Sequence, residues 1–194
     1  LVGDGKVIMT SSGYAAETFA RFYRSNGKAR FFHGGGLGAM GQGLAQGIGA
    51  MLSSKKTDER ILIVESDGGL MMSLHELATY KQNYQRGSLL INLNNHGYAS
   101  IYNSQQRHFG YNSGTASNDG LYMPNWEQLV KSFGINYVKF SKKDDLINLD
   151  RYFCADEPTF VDYIIEKNEN RGPAVKSTID SKGISSSKLE SIDW

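Results

Sequence analysis

Short apolar runs separated by stretches of helical periodicity constrain this chain most. Ile61-Leu62-Ile63-Val64 and Leu89-Leu90-Ile91 are continuous rather than alternating, as strands buried on both faces must be. Between such runs Ala16, Phe19, Ala20 and Tyr23 recur at helical spacing, and Leu74, Leu77, Ala78 and Lys81 do so again after Gly68-Gly69. Parallel neighbours need a crossover between them, and repeated crossovers cover both sheet faces with helices. The expected class is α/β, with a parallel sheet of about five or six strands and helices on both faces. Strands are expected at 6–10, 61–64, 89–93, 137–140 and 160–165, with a helical stretch between the last two. Further helices are expected over 40–52 and 126–133. A glycine-rich, polar insertion fills 110–124, and the serine-rich end, 177–194, is expected to wrap a surface.

Charge and length narrow the function classes. The 194 residues carry 21 Lys and Arg against 20 Asp and Glu, a net charge of +1, so no footprint for nucleic acid or an anionic membrane exists. No apolar run approaches the roughly 20 residues a bilayer requires. A lone cysteine, Cys154, offers no internal disulfide and suits a reducing cytoplasm. The opening Leu1-Val2-Gly3-Asp4 lacks an initiator methionine, so more chain is expected upstream.

In open parallel sheets ligands bind beyond the carboxyl ends of the strands. Glu65-Ser66-Asp67-Gly68-Gly69 places a carboxylate before glycines whose bare backbone can approach a phosphate, at the start of a helix. Asn92-Leu93-Asn94-Asn95-His96-Gly97-Tyr98 carries amide side chains and a glycine carbonyl out of the next strand. One carboxylate, one amide and one carbonyl suit Mg²⁺, which takes oxygen ligands and keeps phosphate oxygens and water among them. Singly, an Asp-Gly-Gly reads as a turn and a pair of asparagines as a cap. Together they gain weight, because one crossover helix separates them and both then emerge at the same sheet edge.

Ser66-Asp67-Gly68-Gly69-Leu70-Met71-Met72 followed by Leu93-Asn94-Asn95-His96-Gly97-Tyr98 resembles the thiamine diphosphate enzymes, whose diphosphate-binding domain carries Gly-Asp-Gly and then Asn-Asn. His75-Glu76-Leu77-Ala78-Thr79 is similar to the family's following helix. Gly35-Gly36-Leu37-Gly38-Ala39-Met40-Gly41, with Gly47-Ile48-Gly49-Ala50, resembles the acetolactate synthase branch. The resemblance implies thiamine diphosphate and Mg²⁺ as cofactors, with Asp67, the Asn95 side chain and the Gly97 carbonyl on the metal. It implies diphosphate contacts from the Gly68 and Gly69 amides, cofactor contacts from Gly38 and Tyr98, and Met40 as a wedge under the bent cofactor. Without the neighbouring glycines Met40 reads as core filler. The implied reaction decarboxylates a 2-oxo acid and passes the resulting carbanion to a carbonyl acceptor.

Ser66 stands where the family has glycine, and no segment resembles the pyrimidine-binding domain that supplies the activating glutamate. Glu65, in a strand, and Glu76, in a helix, do not replace it, so no catalytic residue is assigned, and a pyrimidine-binding domain or subunit is an expected partner. A homo-oligomer is also expected. The expected division is a diphosphate-binding domain at 1–175 and a tail at 176–194. The segment 98–109 diverges from acetolactate synthase and resembles homologues of unusual-sugar or surface-polysaccharide synthesis, so substrate choice is expected to differ. The rival reading within the family is a 2-oxo acid decarboxylase subunit of a split enzyme. A non-catalytic nucleotide-binding domain would need Gly-x-Gly-x-x-Gly after the first strand, and Ser11-Ser12-Gly13 does not supply it. His33, His96 and His108 are candidate proton carriers, at least two of them expected at the surface.

Overall fold

The structure is a computed structural model that describes residues 2–10, 12–25, 27–54, 59–167 and 177–188. The strands β1 (Lys6–Met9), β2 (Arg30–His33), β3 (Ile61–Ser66), β4 (Ser88–Asn94), β5 (Asn136–Phe140) and β6 (Thr159–Ile164) form one sheet. Its order is β2-β1-β3-β4-β6-β5, and every neighbouring pair is parallel. The chain leaves β1 for β2 on one side and β3 for β4 on the other. Such a reversal splays the connections apart and opens a crevice at the strands' carboxyl ends.

Successive strand residues face opposite ways, so each continuous apolar run feeds two cores. Ile8, Ile61, Ile63, Leu90 and Phe160 pack with Leu44, Ile48 and Met51 of α2 (Gln42–Leu52), and with Leu77 and Tyr80 from a later helix, Glu76–Gln82. On the other face Leu89, Ile91 and Val161 meet Phe140, Leu149 and Phe153, while Met9 and Val64 meet Ala15 of α1 (Gly13–Phe22). The remaining helices, in chain order, are α3 (Asp67–Leu70), α4 (Glu76–Gln82), α5 (Ala99–Phe109), α6 (Trp126–Ser132) and α7 (Asp150–Phe153). The expected helical stretch before β6 is a 3₁₀ turn, Lys143–Asn148, followed by α7.

The structure departs from expectation at several places. β2 is an additional edge strand, exposed at each position. The segment 98–109 is mostly the helix α5. Met40 precedes α2 instead of starting it, because Gly41 takes a left-handed φ of 78°. The serine-rich end folds on itself as an antiparallel hairpin, Ser177–Asp180 with Gly183–Ser186, and residues 189–194 of that expected tail lie outside the described residues. The expected boundary at 175 also falls outside them.

A buried ion pair, joined from the surface by an arginine, anchors the start of the sheet. Lys6, 3% exposed, donates from Nζ to Glu59 Oε2 at 2.9 Å and to the Ala50 carbonyl at 3.2 Å, while Arg30 reaches Glu59 Oε1 at 2.8 Å. Burial raises the Glu59 carboxyl, but bonds from Ser54, Lys6 and Arg30 and the Lys6 charge outweigh it and hold it at about 2 against 4.5. The depressed value means that Glu59 contributes stability above pH 4.5, and that this is lost as pH falls through about 2. Glu59→Gln is therefore expected to lower stability to urea near pH 7, with the gap to wild type narrowing near pH 3. A gap independent of pH would show that the charge contributes nothing.

Among the described residues, no helix is long and apolar enough to cross a membrane.

Candidate functional site

The crevice predicted by the strand reversal contains a cavity of about 290 Å³. Ser12, Gly13 and Tyr14 enter it after β1, and Gly38 and Met40 enter from the loop before α2. Asp67, Gly68 and Gly69 follow β3, while Asn95, Gly97 and Tyr98 follow β4. Every residue that the sequence marked for cofactor or metal thus lines one cavity. The convergence follows from register: Ser66 pairs with Leu93 on neighbouring parallel strands, so Asp67 and Asn95 leave the sheet side by side.

Asp67 is fully buried, and each carboxylate oxygen accepts a backbone amide. Gly68 N–H donates to Oδ1 and Gly97 N–H to Oδ2, each at 2.9 Å. Burial nevertheless pushes the Asp67 carboxyl up to about 7, with the Asp162 charge adding to the rise and the amides opposing it. No salt bridge reaches Asp67 among the described residues. Asn95 is 9% exposed, and its Oδ1 is buried with no hydrogen-bond partner among the described residues. A buried carboxylate and a buried amide oxygen on the same cavity are the donor set a hard divalent cation takes.

Glycine is required where Gly68 stands, since a Cβ there would lie 2.6 Å from the Tyr98 ring. Met40 is 37% exposed and its Cε would lie 3.6 Å from that same Cβ, so it stands at the cavity and not in the core. The Gly69 amide is engaged within its turn, donating to Ser66 Oγ at 3.2 Å, where Ser66 caps α3. With Gly68 N–H on Asp67, both amides assigned to the diphosphate hold side-chain oxygens.

Glu65 lies outside the cavity, fully buried, accepting Gly43 N–H at 2.8 Å and Ser66 N–H at 3.0 Å. It braces the first turn of α2 against β3, and burial pushes its carboxyl up. Glu76 faces His75, its Oε1 3.4 Å from Nε2. His33 and His96 are exposed, and neither they nor His108 line this cavity. Ser100 and Ile101, at the start of α5, do line it. Sequence reasoning left them unassigned because α5 is polar and only its Ala99 is buried.

The family model for the thiamine pyrophosphate enzymes, C-terminal TPP binding domain, matches residues 11–163. The chain belongs to this family. This TPP-binding domain is similar to the acetolactate synthase large subunit of Lactococcus lactis subsp. lactis (strain IL1403), 26% identical over 92% of the chain and 30% of that protein. Acetolactate synthase isozyme 1 large subunit of Escherichia coli (strain K12) is 29% identical over 90% of the chain and 30% of its own length. Acetolactate synthase 2, chloroplastic, of Nicotiana tabacum is 26% identical over 91% of the chain and 27% of its own length. The domain thus spans about 30% of the length of the curated relatives it matches.

Proposed function

We propose that the protein binds thiamine diphosphate through Mg²⁺, with Asp67, the Asn95 side chain and the Gly97 carbonyl as the protein's share of the metal's ligands. The observation that carries this is the buried Asn95 Oδ1, without a hydrogen-bond partner among the described residues, beside a buried carboxylate that no salt bridge among them reaches. When bound, the cofactor supplies a carbon nucleophile for 2-oxo acid chemistry. The chain's own residues hold and orient it. Asp67, fixed by two backbone amides, presents a carboxylate that has no freedom to turn away. Met40, exposed at the cavity, is the wedge, and Gly38, Gly68, Gly69 and Tyr98 complete the contacts. For a diphosphate oxygen to use the Gly69 amide, the Ser66 hydroxyl must share or release it.

We place this domain, 1–175, as the C-terminal part of an acetolactate synthase-like enzyme, a transferase or lyase. It decarboxylates a 2-oxo acid and passes the acyl unit to a carbonyl acceptor. A pyrimidine-binding domain or subunit completes the site, and the relatives named as large subunits support a partner. A homo-oligomer in the cytoplasm fits the same reading, the compartment resting on the lone Cys154. The divergent segment 98–109 brings Ser100 and Ile101 to the cavity, and its resemblance to homologues of unusual-sugar or surface-polysaccharide synthesis is what supports an acceptor of that kind.

Calorimetric titration of thiamine diphosphate tests the reading. Binding is expected with Mg²⁺ and is expected to vanish with a chelator, and binding indifferent to the metal would overturn it.

A further inference from the structure

A second polar constellation lies inside the sheet, behind the cavity. Asp162 sits in the middle of β6 at 2% exposure, and its register partner on β4 is Asn92. Its Oδ1 accepts from Asn92 Nδ2 at 2.9 Å and from Asn94 Nδ2 at 3.1 Å. Its Oδ2 accepts from the Tyr137 hydroxyl at 2.9 Å and again from Asn94 Nδ2 at 3.2 Å. A carboxylate offers only acceptors, so the Asn94 amide must turn its nitrogen inward and its oxygen outward.

That outward oxygen holds the turn beside it. Asn94 Oδ1 accepts the His96 backbone N–H at 3.0 Å. His96 has φ 63°, the positive-φ position among the described non-glycine residues, and such a backbone needs a local bond to hold it. The following residue, Gly97, delivers its N–H to Asp67, and Asn95, between Asn94 and His96, holds a buried Oδ1 with no hydrogen-bond partner among the described residues. The carboxylate is thus linked to the cavity through one side-chain amide and one left-handed residue.

We propose that Asp162 is a positioning residue for the Asn95–Gly97 turn, acting by fixing the orientation of the Asn94 amide. The inference rests on the cofactor reading for its consequence, since a misplaced turn takes both Asn95 and Gly97 from the metal. Burial, together with the Asp162 carboxylate, pushes the Tyr137 phenol up, which keeps that hydroxyl a donor. Tyr137 and Asn92 hold the carboxylate still, and Asn94 transmits its orientation.

Asp162→Asn tests it, because one of the two oxygens that hold Asn94 Nδ2 becomes a donor, which loosens the Asn94 amide and favours the flipped orientation that sets Asn94 Nδ2 against the His96 N–H, donor against donor. Hydrogen exchange at the His96 and Gly97 amides in the metal-free protein is expected to speed up about 10-fold, and the dissociation constant for Mg²⁺-thiamine diphosphate to rise about 10-fold. The swapped pair, Asn94→Asp with Asp162→Asn, restores a donor at 162 and an acceptor for His96, so both readouts are expected to return. Asn94→Ala, which leaves the carboxylate with Asn92 and Tyr137, is expected to speed the same two amides and decides the matter should D162N fail to fold. Wild-type exchange at His96 and Gly97 in D162N or N94A overturns the proposal, as does a swapped pair no better than D162N. Absence of metal-dependent binding in the wild type overturns the cofactor reading alone, and the exchange rates still judge Asp162.

Discussion

Asp67→Ala is expected to weaken Mg²⁺-dependent binding of thiamine diphosphate, raising the dissociation constant by about 10²–10³. Of the proposed ligands only Asp67 carries charge, the Asn95 amide and the Gly97 carbonyl being neutral. Removing the charged partner of a buried ion costs about 3–5 kcal/mol, and about 1.4 kcal/mol is tenfold in affinity. The fold itself should tolerate the change better. Burial already holds the Asp67 carboxyl up at about 7, a sign that the fold bears its charge at a cost. Against that relief stand the Gly68 and Gly97 amides, each losing an acceptor at about 1–3 kcal/mol. Thermal unfolding without ligand should therefore move far less than affinity does. Calorimetry showing wild-type affinity in Asp67→Ala would remove Asp67 from the metal site.

The sheet was legible where burial was symmetric. Ile61–Val64 and Leu89–Ile91 had to satisfy two cores at once, and a run with no polar face has few alternatives. β2 escaped because nothing compels its side chains to be apolar: Arg30, Phe31, Phe32 and His33 are all exposed. α5 escaped for a related reason, since helical periodicity comes from a buried face and only Ala99 is buried there. The cavity was legible because glycine, aspartate and asparagine at strand ends are costly unless turns or ligands use them. Asp162 was not, although a signal existed. It is a carboxylate inside the apolar run 160–165, and a charge on a strand buried on both faces must have partners. Those partners come from β4 and β5, far away in the chain, where spacing along the sequence says nothing.

Gly97→Ala is expected to damage the site from the backbone side. Gly97 has φ 145°, a conformation L side chains rarely adopt, and an added Cβ would stand 2.2 Å from the Thr115 carbonyl oxygen. That oxygen cannot move aside cheaply, because it accepts Tyr98 N–H at 2.9 Å, and Ala116 beside it forms an antiparallel bridge with Gly97. Thr115 is itself held by Asp119, which accepts its N–H at 2.7 Å and also its hydroxyl. The irregular segment 110–124 is thus a brace on the Asn95–Tyr98 turn. Strain at such a position costs of order 1–3 kcal/mol and the clash adds to it, so two outcomes compete. If the brace holds, unfolding shifts by about 2–4 kcal/mol; if it yields, Gly97 swings out, Asp67 loses an amide, and affinity for Mg²⁺-thiamine diphosphate falls by at least about 10-fold. Either loss, read by urea unfolding and calorimetry on the same sample, fits a braced turn. Wild-type stability together with wild-type affinity would mean that the turn and its brace move independently, and that the cavity does not need them locked.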